Sequence, residues 1–347
     1  MSNRDDVARF AHDAARSETA VSGPTIADAG LDNSLRTGLD AVEALLRESV
    51  KSDYPFVTET SAHLLAAGGK RFRPLVVLLA AQFGDASAPG VVPAAVVVEL
   101  THLATLYHDD VMDEALLRRG APSANSRWGN TVAILTGDFL FARASDILAD
   151  LGPEAVRLQA RTFERLVQGQ IRETVGPEEG SDPVEHYLRV VGDKTGSLIG
   201  TSGRFGAMLS GADETAREVL TRFGERIGVA FQLSDDLLDV ASDSAASGKT
   251  PGTDLREGVP TLPVLMLRRR ADAADASLLE LLSGDLTDDA RLASAVSALR
   301  AHPVMTEARA VVQQWADDAR ETLRSLPSVP AKAALASLCD YVVRRTG

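Results

Sequence analysis

The sequence predicts an all-α protein, a single large helical bundle around a deep central cavity. Three observations carry this reading. Apolar residues recur at three- and four-residue spacing through most of the chain after Leu31, the period of an amphipathic helix. Strand alternation is almost absent, and no internal repeat of roughly 20–50 residues is visible. Two acidic runs, Asp109-Asp110-x-x-Asp113 and Asp235-Asp236-x-x-Asp239, lie in apolar helical contexts about 126 residues apart, which suggests two helices facing one cavity.

Taken in order, residues 1–30 are polar and alanine-rich without sustained periodicity, and read as a flexible tail before one domain over 31–347. Leu35, Leu39, Val42, Leu45 and Leu46 make the first apolar stripe. A helix from Tyr54 to Ala67 should stop at Gly68-Gly69, and Pro74 should start the next, since proline suits a first turn. A long helix from Ala94 to Asp113 follows Pro93, then Arg127–Leu148, Pro153–Thr174, Val184–Leu209 and Asp213–Val240. Ser242–Pro260 is rich in Gly, Ser and Asp and reads as a loop beside the second acidic run. Five smaller helices complete the chain: Leu262–Arg270, Asp275–Leu282, Asp288–Arg300, Thr306–Leu323 and Ala331–Arg345.

Composition narrows the function. At 347 residues, 45% hydrophobic and 24% charged, the chain is ordinary globular protein. A net charge of −13 argues against a nucleic-acid partner held through its phosphates. The single cysteine, Cys339, excludes an intrachain disulfide and a cysteine-based zinc site, and fits a cytoplasmic setting. The opening MSNRDDVARF lacks the apolar segment of a secretory leader. The longest apolar runs, Leu75–Ala81 and Val91–Val98, fall short of the ~20 residues that span a bilayer.

The acidic runs carry the chemistry. On a helix, Asp109 and Asp113 share a face with Asp110 beside it, and like charges that close repel unless a cation joins them. Mg²⁺ is the natural candidate, because it takes carboxylate oxygens and completes its octahedron with water and phosphates. One such run also suits a solvated helix end; the second copy favours a diphosphate site between two carboxylate walls.

Cations stand close to these walls in sequence. Gly68-Gly69-Lys70-Arg71-Phe72-Arg73-Pro74 puts three cations into four positions at a helix start, which suits either a solvated loop or an anion contact. Arg118 and Arg119 close the first acidic stretch, where cations also simply complement a helix C-terminus. Lys194-Thr195 and Lys249-Thr250 are weaker signals in glycine-containing stretches. His102 lies seven residues before Asp109, two turns down the same side. Lys70, Arg73, His102 and Arg119 make one candidate diphosphate pocket; the Asp runs with Arg118, Lys194 and Lys249 make a second.

At this point the motifs name a family. GGKRFRP, DDVMDEALLRRG, GDFLF, DKTGSLI, FQLSDDLLD and GKTPGTDLREGVPTLP occur in the order and at the intervals of the trans-type isoprenyl diphosphate synthases, or polyprenyl synthetases. The sequence resembles that family from about Ser34 to the C-terminal helices, and most resembles its bacterial long-chain members. The resemblance implies an isoprenoid-synthase-type bundle that adds isopentenyl diphosphate repeatedly to an allylic diphosphate, farnesyl or geranylgeranyl diphosphate. By position it implies that Asp109, Asp110, Asp113, Asp235, Asp236 and Asp239 bind Mg²⁺, with Arg118, Lys194 and Lys249 completing the grip on the allylic diphosphate. Lys70, Arg73, His102 and Arg119 would hold isopentenyl diphosphate, and Thr195 and Gln232 would line the reacting carbons. It also implies a homodimer. One departure stands out: many members carry a lysine shortly after GTDL, where this chain has Gly258-Val259-Pro260-Thr261.

Product length follows from the helix that ends in the first acidic run. Ala104 and Thr105, five and four positions before Asp109, are small, whereas short-product members commonly carry an aromatic at this level. Val98 and Val97 lie about 16–18 Å below Asp109, and Phe139 or Phe141 are candidates for the floor. An open gate favours about seven to nine isoprene units, as in a quinone side chain. The alternatives are a four-unit geranylgeranyl-type synthase, a regulatory subunit of a heteromeric synthase and a terpene cyclase. Neither acidic run has lost a carboxylate, against a regulatory subunit, and GGKRFRP disfavours a cyclase. The apolar product suggests at most transient membrane contact, as no cationic amphipathic anchor is visible.

Overall fold

The computed structural model describes residues 26–241, 251–270 and 272–345. Helix α1 (Ala29–Ser49) opens with Asp28 as its cap, the carboxylate accepting from the Leu31 N–H at 2.8 Å. Then come α2 (Pro55–Ala66), α3 (Phe72–Ala81) and α4 (Val91–Met112). A two-residue hairpin pairs Leu117–Arg118 with Ala121–Pro122, antiparallel. Beyond it run α5 (Ala124–Trp128), α6 (Asn130–Leu151), α7 (Pro153–Val175) and α8 (Pro183–Val191). A π turn at Gly192–Gly196 leads into α9 (Ser197–Leu209), and α10 (Glu214–Ala241) follows. The last part is α11 (Thr253–Arg256), α12 (Leu262–Arg270), α13 (Ala276–Leu282), α14 (Asp289–Ala301), α15 (Val304–Thr322) and α16 (Pro330–Arg344).

One apolar core runs from Leu31 to Val342. Its centre is α4, which packs on α3 and α6; α9 packs on α3 and α10, and α10 on α15. Helix α4 is apolar nearly all round, as a central helix must be. It is long and apolar enough to cross a membrane, yet 67% of that apolar window is buried inside the bundle. Close helix contact sets one residue type. A Cβ at Gly206 of α9 would stand 2.2 Å from the Val77 carbonyl oxygen of α3, so only glycine lets these helices meet.

Several boundaries differ from the sequence reading, each for a local reason. The expected Arg127–Leu148 helix is divided at Gly129, whose φ of 85° breaks it into α5 and α6. Helix α3 starts at Phe72, entered through Arg71 in a left-handed conformation (φ 48°), and Pro74 falls inside its first turn. The Val184–Leu209 stretch carries the π turn. Arg118 and Arg119 do not close the first acidic helix: α4 stops at Met112, and both arginines lie in the hairpin, Arg119 at a φ of 54°. Of the expected loop, 251–260 contains α11, whereas 242–250 lies outside the described residues, as does the expected tail up to residue 25.

Candidate active site

The first wall is the end of α4. Asp109 and Asp110 sit in its last turn, and Asp113 is its C-cap with near-helical dihedrals (φ −88°, ψ 0°), so the three carboxylates stay grouped. Asp110 is fully buried. Its Oδ1 accepts from Arg118 Nε at 2.6 Å, whereas Oδ2 is buried without a partner. Arg118 also reaches Asp113, at 4.0 Å. Desolvation pushes Asp109 up to about 6; Lys194 and Arg118 oppose the shift, and Asp113 and Glu173 add to it. Asp110 and Asp113 are raised too, chiefly by desolvation. Arg118 and Lys194 do not fully offset the desolvation of these carboxylates, and a cation would add to their positive charge.

The second wall is the end of α10. Asp236 Oδ1 accepts from Gln232 Nε2 at 2.8 Å, and Oδ2 accepts from the Tyr187 hydroxyl. Burial pushes Asp236 up to about 6 and Tyr187 well above its ordinary range. Gln232 Oε1 accepts from Thr195 Oγ1 at 3.1 Å, so Thr195, Gln232, Asp236 and Tyr187 form one hydrogen-bonded chain. Asp235 pairs with Arg345, whose guanidinium lies 4.8 Å from the Phe231 ring and 5.7 Å from that of Tyr341. Asp239 accepts from the backbone N–H groups of Thr253, at 3.2 Å, and Asp254, at 3.1 Å, at the start of α11.

The π turn brings Lys194 between the walls, paired with Glu173 of α7. Its neighbour Asp193 is tied to Arg172 and, at 3.3 Å, to Arg165. Glu257, at the end of α11, is raised by desolvation and then by Asp113; Asp239 adds to this and Arg118 opposes it. Glu257 thus feels both walls at once.

The cationic pocket lies beside them. Arg119 donates to the carbonyls of Leu64, at 3.1 Å, and Gly68. A Cβ at Gly69 would stand 2.7 Å from one Arg71 guanidinium nitrogen and 3.0 Å from one of Arg119, which is why this tight loop is built on glycine. Arg73 Nε is buried without a partner, and desolvation lowers Arg73 to about 10; Glu99 and Asp235 oppose that shift and Arg119 adds to it. Desolvation drives His102 well below its ordinary range, reinforced by Arg73, Arg119, Arg118 and Arg71, so its imidazole is neutral at pH 7. The Lys70 ammonium stands 5.6 Å from the Phe231 ring centroid. Arg73, His102 and Arg119 therefore share one neighbourhood. Arg71 does not join them: it is buried in ion pairs with Glu43 and, at 3.0 Å, Glu99.

Other expected residues fall as follows. Lys249 lies outside the described residues. Ala104, Val97 and Val98 are fully buried, and the half-buried Thr105 donates to the His102 carbonyl at 2.8 Å. Phe141 stacks obliquely on Phe163 of α7, 4.5 Å between centroids, and Phe139 is half-buried. Val259, where a lysine is common, is exposed, its N–H bonded to the Asp254 carbonyl at 2.8 Å. Sequence reading missed Tyr187, Glu173, Glu257 and Arg345. Tyr187 alone left a signal, seven residues before Lys194. Among the described residues no group of three His, Cys, Asp or Glu side chains is placed to hold a metal ion by itself.

A helical bundle of this kind is the fold of the isoprenoid synthases. Residues 54–299 match the model of the polyprenyl synthetase family. The chain is 51% identical, over 95% of its length and 98% of the relative's, to the nonaprenyl diphosphate synthase of Mycobacterium tuberculosis. The geranylgeranyl pyrophosphate synthase of Corynebacterium glutamicum, solved with calcium and isoprenyl diphosphate, superposes with a TM-score of 0.83 at 44% identity, covering 93% of this chain and 99% of that one. The decaprenyl diphosphate synthase of Rhodobacter capsulatus gives 0.82 at 36% identity, over 91% and 98%. The chain belongs to the polyprenyl synthetase family, and is a prenyltransferase.

Proposed function

We propose that the protein condenses isopentenyl diphosphate repeatedly, head to tail and in trans, with farnesyl or geranylgeranyl diphosphate. The product is a polyprenyl diphosphate of about seven to nine isoprene units, for a quinone side chain such as that of menaquinone. The observation that carries the reading is the pairing of two carboxylate walls, with Asp110 fully buried and Asp109 and Asp236 raised by desolvation, with a separate cationic group. Its length assignment rests on the small gate residues Ala104 and Thr105 and on the likeness to long-chain relatives.

Asp109, Asp110, Asp113, Asp235, Asp236 and Asp239 would hold Mg²⁺, which fits the orphaned Asp110 Oδ2 and the raised Asp109 and Asp236. When bound, the metal neutralises charge on the departing diphosphate as a Lewis acid. Arg118 and Lys194, with Lys249, add fixed positive charge there. Thr195 and Gln232, hydrogen-bonded to each other, line the reacting carbons. Lys70, Arg73 and Arg119 hold the diphosphate of isopentenyl diphosphate, and neutral His102 donates a hydrogen bond to it. The isopentenyl double bond attacks the allylic cation, and the released diphosphate takes the proton lost afterwards. No protein nucleophile is needed. A cytoplasmic homodimer with at most transient membrane contact belongs to the same proposal.

The test is product length from purified protein with Mg²⁺, isopentenyl diphosphate and farnesyl diphosphate. Products of about 35–45 carbons support the proposal. Arrest at about 20 carbons would favour a geranylgeranyl diphosphate synthase, a second reading supported by the Corynebacterium likeness. No turnover until a second protein is added would favour a heteromeric subunit instead.

Ala104→Phe should shorten the product. The site is fully buried, so the larger ring will also cost about 1–3 kcal/mol of stability. Product length measured alongside thermal melting checks both effects. Unchanged length in a folded, active variant would remove Ala104 as the gate.

A further inference from the structure

Below the carboxylates, hydroxyls and an amide join the helices that carry the site. On α4, Thr101 lies eight residues below Asp109, about 12 Å along the axis. It is three residues below Ala104 and four below Thr105, so it falls between them on the same face, one turn deeper. On α7, the face that carries Glu173 continues downward through Leu166 and Thr162 to Gln159. Beneath Lys194, α9 carries Leu198 and then Thr201.

Across this level the side chains pair. Gln159 Nε2 donates to Thr101 Oγ1 at 2.8 Å, tying α7 to α4. Thr162 Oγ1 and Thr201 Oγ1 are 2.6 Å apart, tying α7 to α9. Thr101 is pinned to its own helix by donating to the Val97 carbonyl at 2.8 Å, and Thr162 by donating to that of Leu158 at 2.9 Å. All four residues are buried, Gln159 the least at 8% exposed. Gln159 Oε1 is buried with no partner at all. A buried amide with an unsatisfied oxygen costs stability that an apolar residue of similar size would not.

We propose that Gln159, with Thr101, Thr162 and Thr201, forms a polar partition across the path of the growing prenyl tail, and that displacement of Gln159 sets how far elongation proceeds. The inference rests on the prenyl-elongation reading above. Gln159 is the moving member because it is long, unbranched and held by a single hydrogen bond, while the threonines are short and β-branched, and Thr101 and Thr162 are anchored to their own helices. Above the partition, between it and the carboxylates, are the half-buried Thr105 and the apolar Leu166 and Leu198. A longer tail has to swing the amide aside and leave its polar atoms facing hydrocarbon, so passage is slow and intermediates should accumulate there.

The experiment compares wild type, Gln159→Ala, Gln159→Met and Gln159→Phe in the product-length assay, together with the rate of one condensation on farnesyl diphosphate. Gln159→Ala should lengthen the mean product and deplete intermediates; Gln159→Phe should shorten it. Gln159→Met keeps the volume without the hydrogen bond to Thr101 and should also lengthen it, which keeps the test decisive if the phenylalanine variant does not fold. The single-condensation rate should stay within about 2-fold of wild type in all three, because the residues above the partition are unchanged. A wild type that arrests at four units while Gln159→Ala passes beyond would overturn the long-chain assignment and uphold the partition. Wild-type length distributions in folded, active alanine and methionine variants would overturn the partition itself.

Discussion

Asp110→Asn should lower kcat by about 10²- to 10³-fold while leaving the protein folded. Asp110 is the most enclosed carboxylate of either wall, with one oxygen bound to Arg118 at 2.6 Å and the other buried and unpaired. The amide keeps the shape and the Arg118 contact at Oδ1, but it replaces the unpaired anionic oxygen with a neutral group. That oxygen is the one left free for a cation under the proposed function, so the loss falls on the charge that the reaction must stabilise. Stability should change little, because removing a desolvated charge offsets the weakened pair with Arg118. Steady-state rates at saturating substrates and a Mg²⁺ titration check the first expectation, thermal melting the second. Asp113→Asn is the control: that side chain is 53% exposed, and its loss should be milder. Equal activity of Asp110→Asn and wild type would remove Asp110 from the metal site.

Arg71→Ala should destabilise the fold by about 3 kcal/mol. Its guanidinium is 7% exposed and bridges Glu43 of α1 and Glu99 of α4, with Glu99 itself nearly inaccessible. Truncation leaves the Glu99 carboxylate buried without its closest partner. Arg73 and Arg119 still feel Glu99, which holds the expected cost at the lower end for a broken buried pair. Denaturant unfolding measures the loss. Pairing Arg71→Ala with Glu99→Gln should recover part of it, and the double-mutant cycle isolates that interaction. A loss below about 1 kcal/mol would mean that the pair is solvated rather than buried.

The long helices and both acidic runs were legible in the sequence because each is a local pattern. Three or four residues' spacing makes a helix face, and Asp109 to Asp113 are grouped by that spacing alone. What was not legible came from glycines and from distance. Nothing in the periodicity of Arg127–Leu148 reveals that Gly129 adopts a φ of 85° and divides it. Lys70, Arg71 and Arg73 look alike in sequence, and only the positions of Glu43 and Glu99 show that the middle one is structural. Arg345 reaches Asp235 from 110 residues away, and Glu173 meets Lys194 across a helix pair. Such partners are chosen by tertiary packing, which leaves no trace in the spacing of either residue.

The position of Asp239 has a thermodynamic consequence. Its carboxylate receives the first N–H groups of α11, and those oxygens also belong to the second acidic wall. If this wall holds a cation as proposed, cation occupancy and the conformation of Thr253–Arg256 draw on one group, and the two equilibria are linked. By reciprocity, whatever factor a bound cation applies to the ordering of that segment, ordering the segment applies to the cation's affinity. Substitutions in Thr253–Arg256, which contribute no acidic-run residue, should thus register as changes in metal requirement before they register as changes in catalysis.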